Sequence, residues 1–466
     1  MNISKLQLKN FKNFSFLQTD FEPGVNLFVG INGCGKTSLL EGICVAVGAF
    51  FGSQGRHLQR IIEYNEIKIT KGKREPLAQV AAWNEFSKDK LFYNQVSEKI
   101  NWNIVRNRDD NTLHNNKLKN ASDYGKIFFD AFDKTNDKTI APLIVYFSTQ
   151  RLFKETKNIS GYSDIVTSGT TGYSGSSGQT SSQKYDVTMG RRNGYLQCLE
   201  ENTIKSTLIE WFGNAVTRRA TMQIKEIERV DFVLENVETA VRNTLIDFLD
   251  LPDNFSLKIY QDPDFNYELF LQYDIVHDLP LSYYSDGFKN LLFLVIDMVW
   301  RASQLNPWLT LQEISEKVNG VAIIDEIDLH LHPKWQCKAI PLLQKLFPKV
   351  QFFITTHSPT VIANFSSGTL YTIDNNMVSR ISDKYFGKEV NYILRNTLSA
   401  SDRHIETQVK LDQLFRFIDD NEPNKVISPL LDELIDILGN NDPDIQKALS
   451  LIEWNNYKKE NPDAIH

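Results

Sequence analysis

The chain has little cysteine: four residues in 466, Cys34, Cys44, Cys198 and Cys337. None are spaced as CxxC, which argues against a zinc cluster. They are too few and too scattered for a disulfide scaffold, so the chain reads as cytoplasmic. It lacks a long apolar run. The most apolar stretch, residues 291–300, is broken by Asp297 and is about half the ~20 residues a membrane span needs, so no membrane partner is expected. No leader is expected: the opening MNISKLQLKNFKNF alternates Lys with apolar residues and has no h-region. It also lacks an excess of positive charge. Lys and Arg number 51 against 58 Asp and Glu, net −7. That excludes a uniformly basic nucleic-acid binder but leaves room for a local basic groove.

What is present is ordinary for a globular protein that buries a core: 41% hydrophobic and 23% charged residues. The length suits two to four domains, or one large domain with additions. The excess negative charge is confined to the end. From Ser401 onward there are 7 basic and 14 acidic residues, leaving 44 of each in the first 400. An acidic tail suits a protein partner or a solvated helical face. Residues 5–9 alternate with strand period, residues 25–29 and 143–147 read as buried strands, and residues 76–106 read as an antiparallel subdomain. A helix is expected over 37–51. Residues 159–183 are Ser-, Gly- and Thr-rich and cannot build a core. Residues 195–250 read as helical, with Leu208, Trp211, Phe212 and Val216 at helix spacing. Residues 255–273 alternate again, 288–302 read as a buried helix, and 321–324 and 352–355 as core strands. The 109 residues after His357 read as helices.

Three motifs carry chemistry. Gly30-Ile31-Asn32-Gly33-Cys34-Gly35-Lys36-Thr37 fits G-x-x-x-x-G-K-[ST] between an expected strand and an expected helix. Its glycines let backbone N–H groups converge on phosphate oxygens at a helix start. Asn32, Gly33, Cys34, Gly35, Lys36, Thr37 and Ser38 are therefore the expected nucleotide contacts, with Lys36 on the terminal phosphates and the Thr37 hydroxyl on Mg²⁺. Next, residues 321–324 form an apolar strand ending in Asp325 and Glu326. Asp325 is expected to hold Mg²⁺ through water, and Glu326 to polarise the attacking water. Finally, the strand at 352–355 delivers His357 to its end, 32 residues after Asp325, where it could contact the γ-phosphate.

In this order, the motifs resemble ABC-type ATPases of the SMC/RecF/OLD branch. The opening LQLKNFKNF is similar to the first strand and turn of RecF-like proteins. IDEIDLHLHP resembles the branch's extended Walker B and D-loop, which implies that Asp328 lies at a dimer-facing turn. His330 and His332 form an H-x-H pair, which the branch carries without a metal. YYSDGFKNLL resembles the signature element, with Ser285 and Gly287 matching LSGGQ while Tyr284, Asp286 and Phe288 depart from it. In the family this loop caps the ATP of the opposite protomer. Gln150 fits the Q-loop, which implies a further Mg²⁺ contact, and Gln54 is a weaker candidate.

The resemblance implies an α/β fold: an ABC-type P-loop ATPase with an antiparallel β subdomain, a helical insertion lobe and a helical C-terminal tail. The expected divisions are 1–150, an N-terminal ATPase lobe; 151–280, the insertion; 281–400, a C-terminal ATPase lobe; and 401–466, the acidic tail. The 250 residues between Gly35 and Ser285 hold no heptads, which excludes SMC-type arms. No Toprim-like pattern of strands and carboxylates follows His357, so no nuclease is expected in this chain. Within the branch the layout is similar to the PtuA family, ATPases of Septu-type anti-phage systems and of some retron systems. That family pairs its ATPase with an HNH endonuclease, PtuB. The implied partners are a second copy in an ATP-dependent head-to-tail dimer or higher oligomer, a PtuB-like nuclease docked on the acidic tail, and DNA or a retron RNA–DNA hybrid. The implied cofactors are ATP and Mg²⁺. The competing expectation is a RecF-like DNA repair ATPase. Arg191-Arg192, Arg218-Arg219 and Lys71-Gly72-Lys73-Arg74 are the candidate linings of a DNA groove.

Overall fold

The computed structural model describes residues 1–54, 59–85, 99–108, 113–114, 119–133, 138–149, 187–200, 205–225, 231–251, 258–262, 268–272, 278–382, 385–396 and 403–460. The chain divides into two compact units, Met1–Lys388 and Glu389–His466. In the first, the elements run β1 (Ile3–Phe11), β2 (Phe14–Asp20), β3 (Val25–Val29), α1 (Lys36–Gly48), β4 (Ile69–Thr70), β5 (Lys73–Arg74), β6 (Leu77–Glu85), β7 (Lys99–Asn107), β8 (Leu113–His114), α2 (Lys119–Phe132) and β9 (Leu143–Phe147). They continue with α3 (Lys205–Ile224), α4 (Phe232–Leu249), β10 (Lys258–Asp262), β11 (Glu268–Gln272), β12 (Asp278–Pro280), α5 (Asp286–Leu305), α6 (Leu311–Lys317), β13 (Gly320–Ile324), α7 (Pro333–Leu346), β14 (Val350–Thr355), α8 (Pro359–Ala363), β15 (Thr369–Asp374) and β16 (Met377–Arg380).

Six strands form the central sheet in the order β16-β15-β3-β14-β13-β9, parallel from β15 to β9 with only the β15–β16 pair antiparallel. Every residue of β3, β9, β13 and β14 is buried, as befits a parallel sheet covered on both faces. The strand carrying Thr355 lies between the phosphate-loop strand and the strand leading to Asp325. All their C-terminal ends therefore open on one edge, where ligands bind in such sheets.

A second sheet, β2-β1-β6-β7-β8, is antiparallel. The strands expected at 76–106 join β1 and β2 in this sheet rather than standing apart. Helix α1 is buried almost all round, and its Leu39, Leu40 and Ile43 share one core with Leu6, Leu8, Val80 and Ile104 of this sheet and Val321, Ile323 and Phe353 of the central one. A helix apolar on every side is stable only when covered on every side. The stretch expected to be helical from 195 begins its α-helix only at Lys205, and residues 187–195 ahead of it form 3-10 turns. Helix α5 carries a buried pair, Arg301 to Asp297 at 2.8 Å. The same guanidinium donates to the Gly194 and Leu196 carbonyls at 3.0 and 2.7 Å, fastening that segment to the helix.

The expectation of helices alone after His357 is corrected by β15 and β16. Their hairpin turns on Asn375 and Asn376, both with positive φ, the chemistry a tight turn needs. The second unit contains α9 (Val390–Asn396), α10 (Ile405–Asp419), α11 (Asn424–Leu438) and α12 (Pro443–Glu460). The last three share a core of Leu411, Leu414, Ile418, Ile427, Leu431, Leu434, Ile445 and Ala448. No helix among the described residues is long and apolar enough to cross a membrane. Gln150 and the Ser/Gly-rich stretch 159–183 lie outside the described residues.

Candidate functional site

The loop from β3 to α1 turns on glycine. Gly35 has φ +109° and a Cβ there would lie 2.6 Å from Asn13 Nδ2 and 2.9 Å from Phe14 Cζ, so no larger residue fits without movement. Lys36 opens α1 and is buried. Its ammonium donates to the Gly30 and Ile31 carbonyls, both at 2.9 Å, and lies 3.7 Å from Cys34 Sγ. Burial pushes its pKa below the usual lysine value, opposed by Cys34, Asp325 and Glu326. Thus the loop already holds the cation inward, on two carbonyls that phosphate oxygens can replace. Asn32 and Gly33 are exposed, as is Thr37, while Cys34 and Ser38 are partly so.

Asp325, 1% exposed, joins two elements. Thr37 Oγ1 donates to its Oδ2 at 2.8 Å and Thr355 Oγ1 donates to its Oδ1 at 2.5 Å. The Thr355 hydroxyl in turn accepts the Glu326 N–H at 2.8 Å. One side chain on β14 therefore orients both carboxylates that follow β13. Glu326 itself sits at φ +49°, a left-handed backbone that a non-glycine residue keeps only when its surroundings impose it. Those surroundings are backbone bonds from Asp325 N to Phe147 O at 2.8 Å and from Ile327 N to Thr355 O at 3.1 Å. Thr356 Oγ1 donates to Asp328 Oδ1 at 2.5 Å. Neither threonine was singled out by sequence, because each needs β14 placed beside β13 before its role is visible.

His357 is half-buried. Burial and the Lys36 ammonium lower its pKa below the usual histidine value, while Asp328 and Asp325 oppose that shift. Near neutral pH the imidazole is uncharged, able to donate one N–H without adding a cation. Lys36, Thr37, Asp325, Glu326 and His357 are thus brought together at one sheet edge.

Ser285 and Gly287 are placed differently. Ser285 is exposed and its Oγ accepts the Phe288 N–H at 3.4 Å, capping α5. Gly287 packs on the turn after Asp328: a Cβ there would lie 2.0 Å from the His330 carbonyl oxygen. Asn290 Nδ2 donates to the neighbouring Leu329 carbonyl at 3.2 Å. Neither signature residue is a partner of Lys36, Thr37 or Asp325. His332 caps α7 with Nδ1 accepting the Lys334 N–H at 3.3 Å. Gln54 Nε2 donates to Ser53 Oγ at 2.9 Å.

The basic pairs are largely committed. Arg191 lies between the Phe132 and Trp308 rings at 3.9 and 4.5 Å. Arg192 pairs with Asp133, Arg218 with Asp231, and Arg219 with both oxygens of Glu238. Lys71 and Lys73 are exposed.

The donor set fits a hard divalent cation only with help. No group of three His, Cys, Asp or Glu among the described residues could hold a metal by itself. Thr37 and Asp325 supply two oxygens, so the rest would come from water and phosphate, the usual situation for Mg²⁺. Occupancy of the loop has a simple readout. Cys34, within the loop, and Cys337 are partly exposed, while Cys44 and Cys198 are buried. In a Cys337→Ser background, maleimide labelling of Cys34 should slow in proportion to added ATP. Labelling unaffected at saturating ATP would place the nucleotide elsewhere.

Residues 1–362 match the AAA ATPase domain family. The Septu protein PtuA of Bacillus thuringiensis is 23% identical over 368 residues, 77% of this chain and 72% of that protein. The Retron Ec83 probable ATPase of Escherichia coli is 36% identical over 124 residues, 26% of this chain and 21% of that protein. The chain thus spans about a fifth of the length of that retron relative. A solved SMC head bound to the C-winged helix domain of ScpA aligns with TM-score 0.43 and 14% identity, over 82% of this chain and 98% of that one. With the phosphate loop, Asp325 and Glu326 all inside the matched 362 residues, the chain belongs to the AAA ATPase domain family.

Proposed function

We propose that this chain binds and hydrolyses ATP as the ATPase subunit of an anti-phage defence complex, dimerises head to tail around ATP, and controls a partner HNH nuclease. The observation that carries the ATPase reading is the bond of Thr37 and Thr355 to one buried carboxylate, Asp325. It joins the phosphate loop to the strand that presents Glu326. The similarity to proteins named for Septu and retron systems supports the defence role. The exposed start of α5, capped by Ser285, supports a face offered to a second copy.

In this reading Lys36 exchanges the Gly30 and Ile31 carbonyls for phosphate oxygens. Thr37 and Asp325 would hold Mg²⁺, which would neutralise charge on the phosphates. Glu326 orients and deprotonates the attacking water, and the neutral His357 donates an N–H to the terminal phosphate. Ser285 and the first amides of α5 close the partner's site. Because Gly287 packs on the turn that follows Asp328, any change at that turn on hydrolysis is passed directly to this surface. The test is purification of the tagged chain from its native operon, followed by native mass spectrometry. The expected result is an HNH-type nuclease bound to an even number of copies. A bare ATPase that retains only DNA would replace this reading with a RecF-like repair role.

A further inference from the structure

The stretch Tyr284-Ser285-Asp286-Gly287-Phe288 divides by where its side chains go. Tyr284 and Phe288 stack on each other with ring centroids 4.9 Å apart, and Phe288 also meets the Trp335 ring at 5.7 Å. These two departures from LSGGQ are thus taken up by packing within the first unit. Gly287 has no room for a side chain, because its Cβ would meet the His330 carbonyl. Ser285 caps the helix through its Oγ. Asp286 is the departure that faces outward: its side chain is 70% exposed. LSGGQ has glycine at this place. Here a carboxylate stands where the signature offers bare backbone.

That carboxylate acts in two ways. In the first turn of α5 it lies in the positive field of the helix start, the same field a phosphate would use. Two anions then compete for one helix start. It also brings negative charge to a place that pairing would fill with more of it. In the head-to-tail reading, the start of α5 meets the triphosphate held by the other copy, beside a second Asp325 and Glu326. Like charges brought together across an interface oppose association. Lys289, one turn on, moderates this. Its Nζ lies 2.8 Å from Asp286 Oδ1, and its side chain is 20% exposed. A cation held against the carboxylate offsets part of its charge.

We infer that Asp286 opposes ATP-driven pairing and that Lys289 relieves this opposition. Together the two set how tightly two copies close on ATP. The inference rests on the pairing reading of Ser285 and adds a brake to it.

The test measures pairing of the full-length Glu326→Gln protein by sedimentation velocity, over a dilution series with Mg²⁺ and ATP. Asp286→Asn removes the charge and keeps the size. It should tighten pairing by about tenfold, as for one like charge removed from near a phosphate at a protein surface. The gain should shrink as salt is raised, because exposed charges are screened. Lys289→Met keeps the stem and removes the cation. It should weaken pairing by a similar factor, but only while Asp286 is present. In the Asp286→Asn background it should change little. ATP protection of Cys34, measured too dilute for pairing, verifies that each variant folds and binds nucleotide. If the Glu326→Gln protein itself has the same mass in ATP and ADP, the pairing reading falls and this inference with it. Pairing on ATP that Asp286→Asn leaves unchanged or weakens would overturn this inference alone. So would an equal loss from Lys289→Met in both backgrounds, which would make Lys289 itself the phosphate contact.

Discussion

Replacing Glu326 by Gln is expected to lower ATP turnover by about 10²–10⁴-fold, the range a positioned general base supplies, while ATP still binds. The expectation follows from how Glu326 is held. Its backbone is left-handed at φ +49° and its N–H is fixed on Thr355 Oγ1 at 2.8 Å. Gln keeps the size, the backbone and that hydrogen bond. It removes only the capacity to take a proton. Chemical-quench measurement of a single turnover separates the chemical step from nucleotide release, and ATP protection of Cys34 reports binding independently. Turnover within a few-fold of the parent would remove Glu326 from the chemistry.

The second large effect is expected from Thr355→Val, at a residue without direct phosphate contact in this reading. Val has the same shape but no hydroxyl. The Asp325 carboxylate, 1% exposed, loses its 2.5 Å donor, and the Glu326 N–H loses its acceptor. A buried N–H that loses its acceptor and a buried carboxylate left with one donor fewer each cost about 1–3 kcal/mol, so a loss of about 2–5 kcal/mol is expected for the first unit. Turnover should fall with it, because both carboxylates lose the group that orients them. Urea unfolding followed by far-ultraviolet circular dichroism measures the stability. Thr355→Ser keeps the hydroxyl and should recover most of it. A Thr355→Val protein as stable and as active as the parent would remove the hydroxyl's two hydrogen bonds from the account.

The parts of the site legible in the sequence are those whose chemistry is local. The spacing of Gly30, Gly35, Lys36 and Thr37 specifies a loop and a helix start by itself. The apolar run before Asp325 and Glu326 specifies a buried strand and where it ends. His357 follows from the same logic. Thr355 and Thr356 could not be read so, since their partners lie 30 and 28 residues away on the adjacent strand turn, and only the β14–β13 register brings them together. The inward hold on Lys36 depends on carbonyl directions, which residue identity does not encode. In the fold, β15 and β16 escaped a helical reading of the tail although Thr369-Leu370-Tyr371-Thr372-Ile373 carries strand-forming side chains before an Asn-Asn turn. Within α3, Leu208, Trp211 and Phe212 are buried as their spacing suggested, but Ala215 takes the inward place rather than the larger Val216. Helix phase from periodicity is good to about one residue, and a small side chain facing a crowded core is easily overlooked.

The reading of ATP as the glue between two copies has one direct test. The Glu326→Gln protein is expected to bind ATP and hydrolyse it slowly, so its ATP-bound state should persist long enough to weigh. Sedimentation velocity with Mg²⁺ and either ATP or ADP gives the mass. With ATP, a species of twice the 53.6 kDa chain, or an even multiple of it, is expected; with ADP the mass should return to a smaller species. Adding Ser285→Arg, which places a bulky cation at the exposed start of α5, should abolish the ATP-dependent gain while Cys34 remains protected by ATP. A mass that is the same in ATP and ADP, with Cys34 protected in both, would contradict ATP-driven pairing.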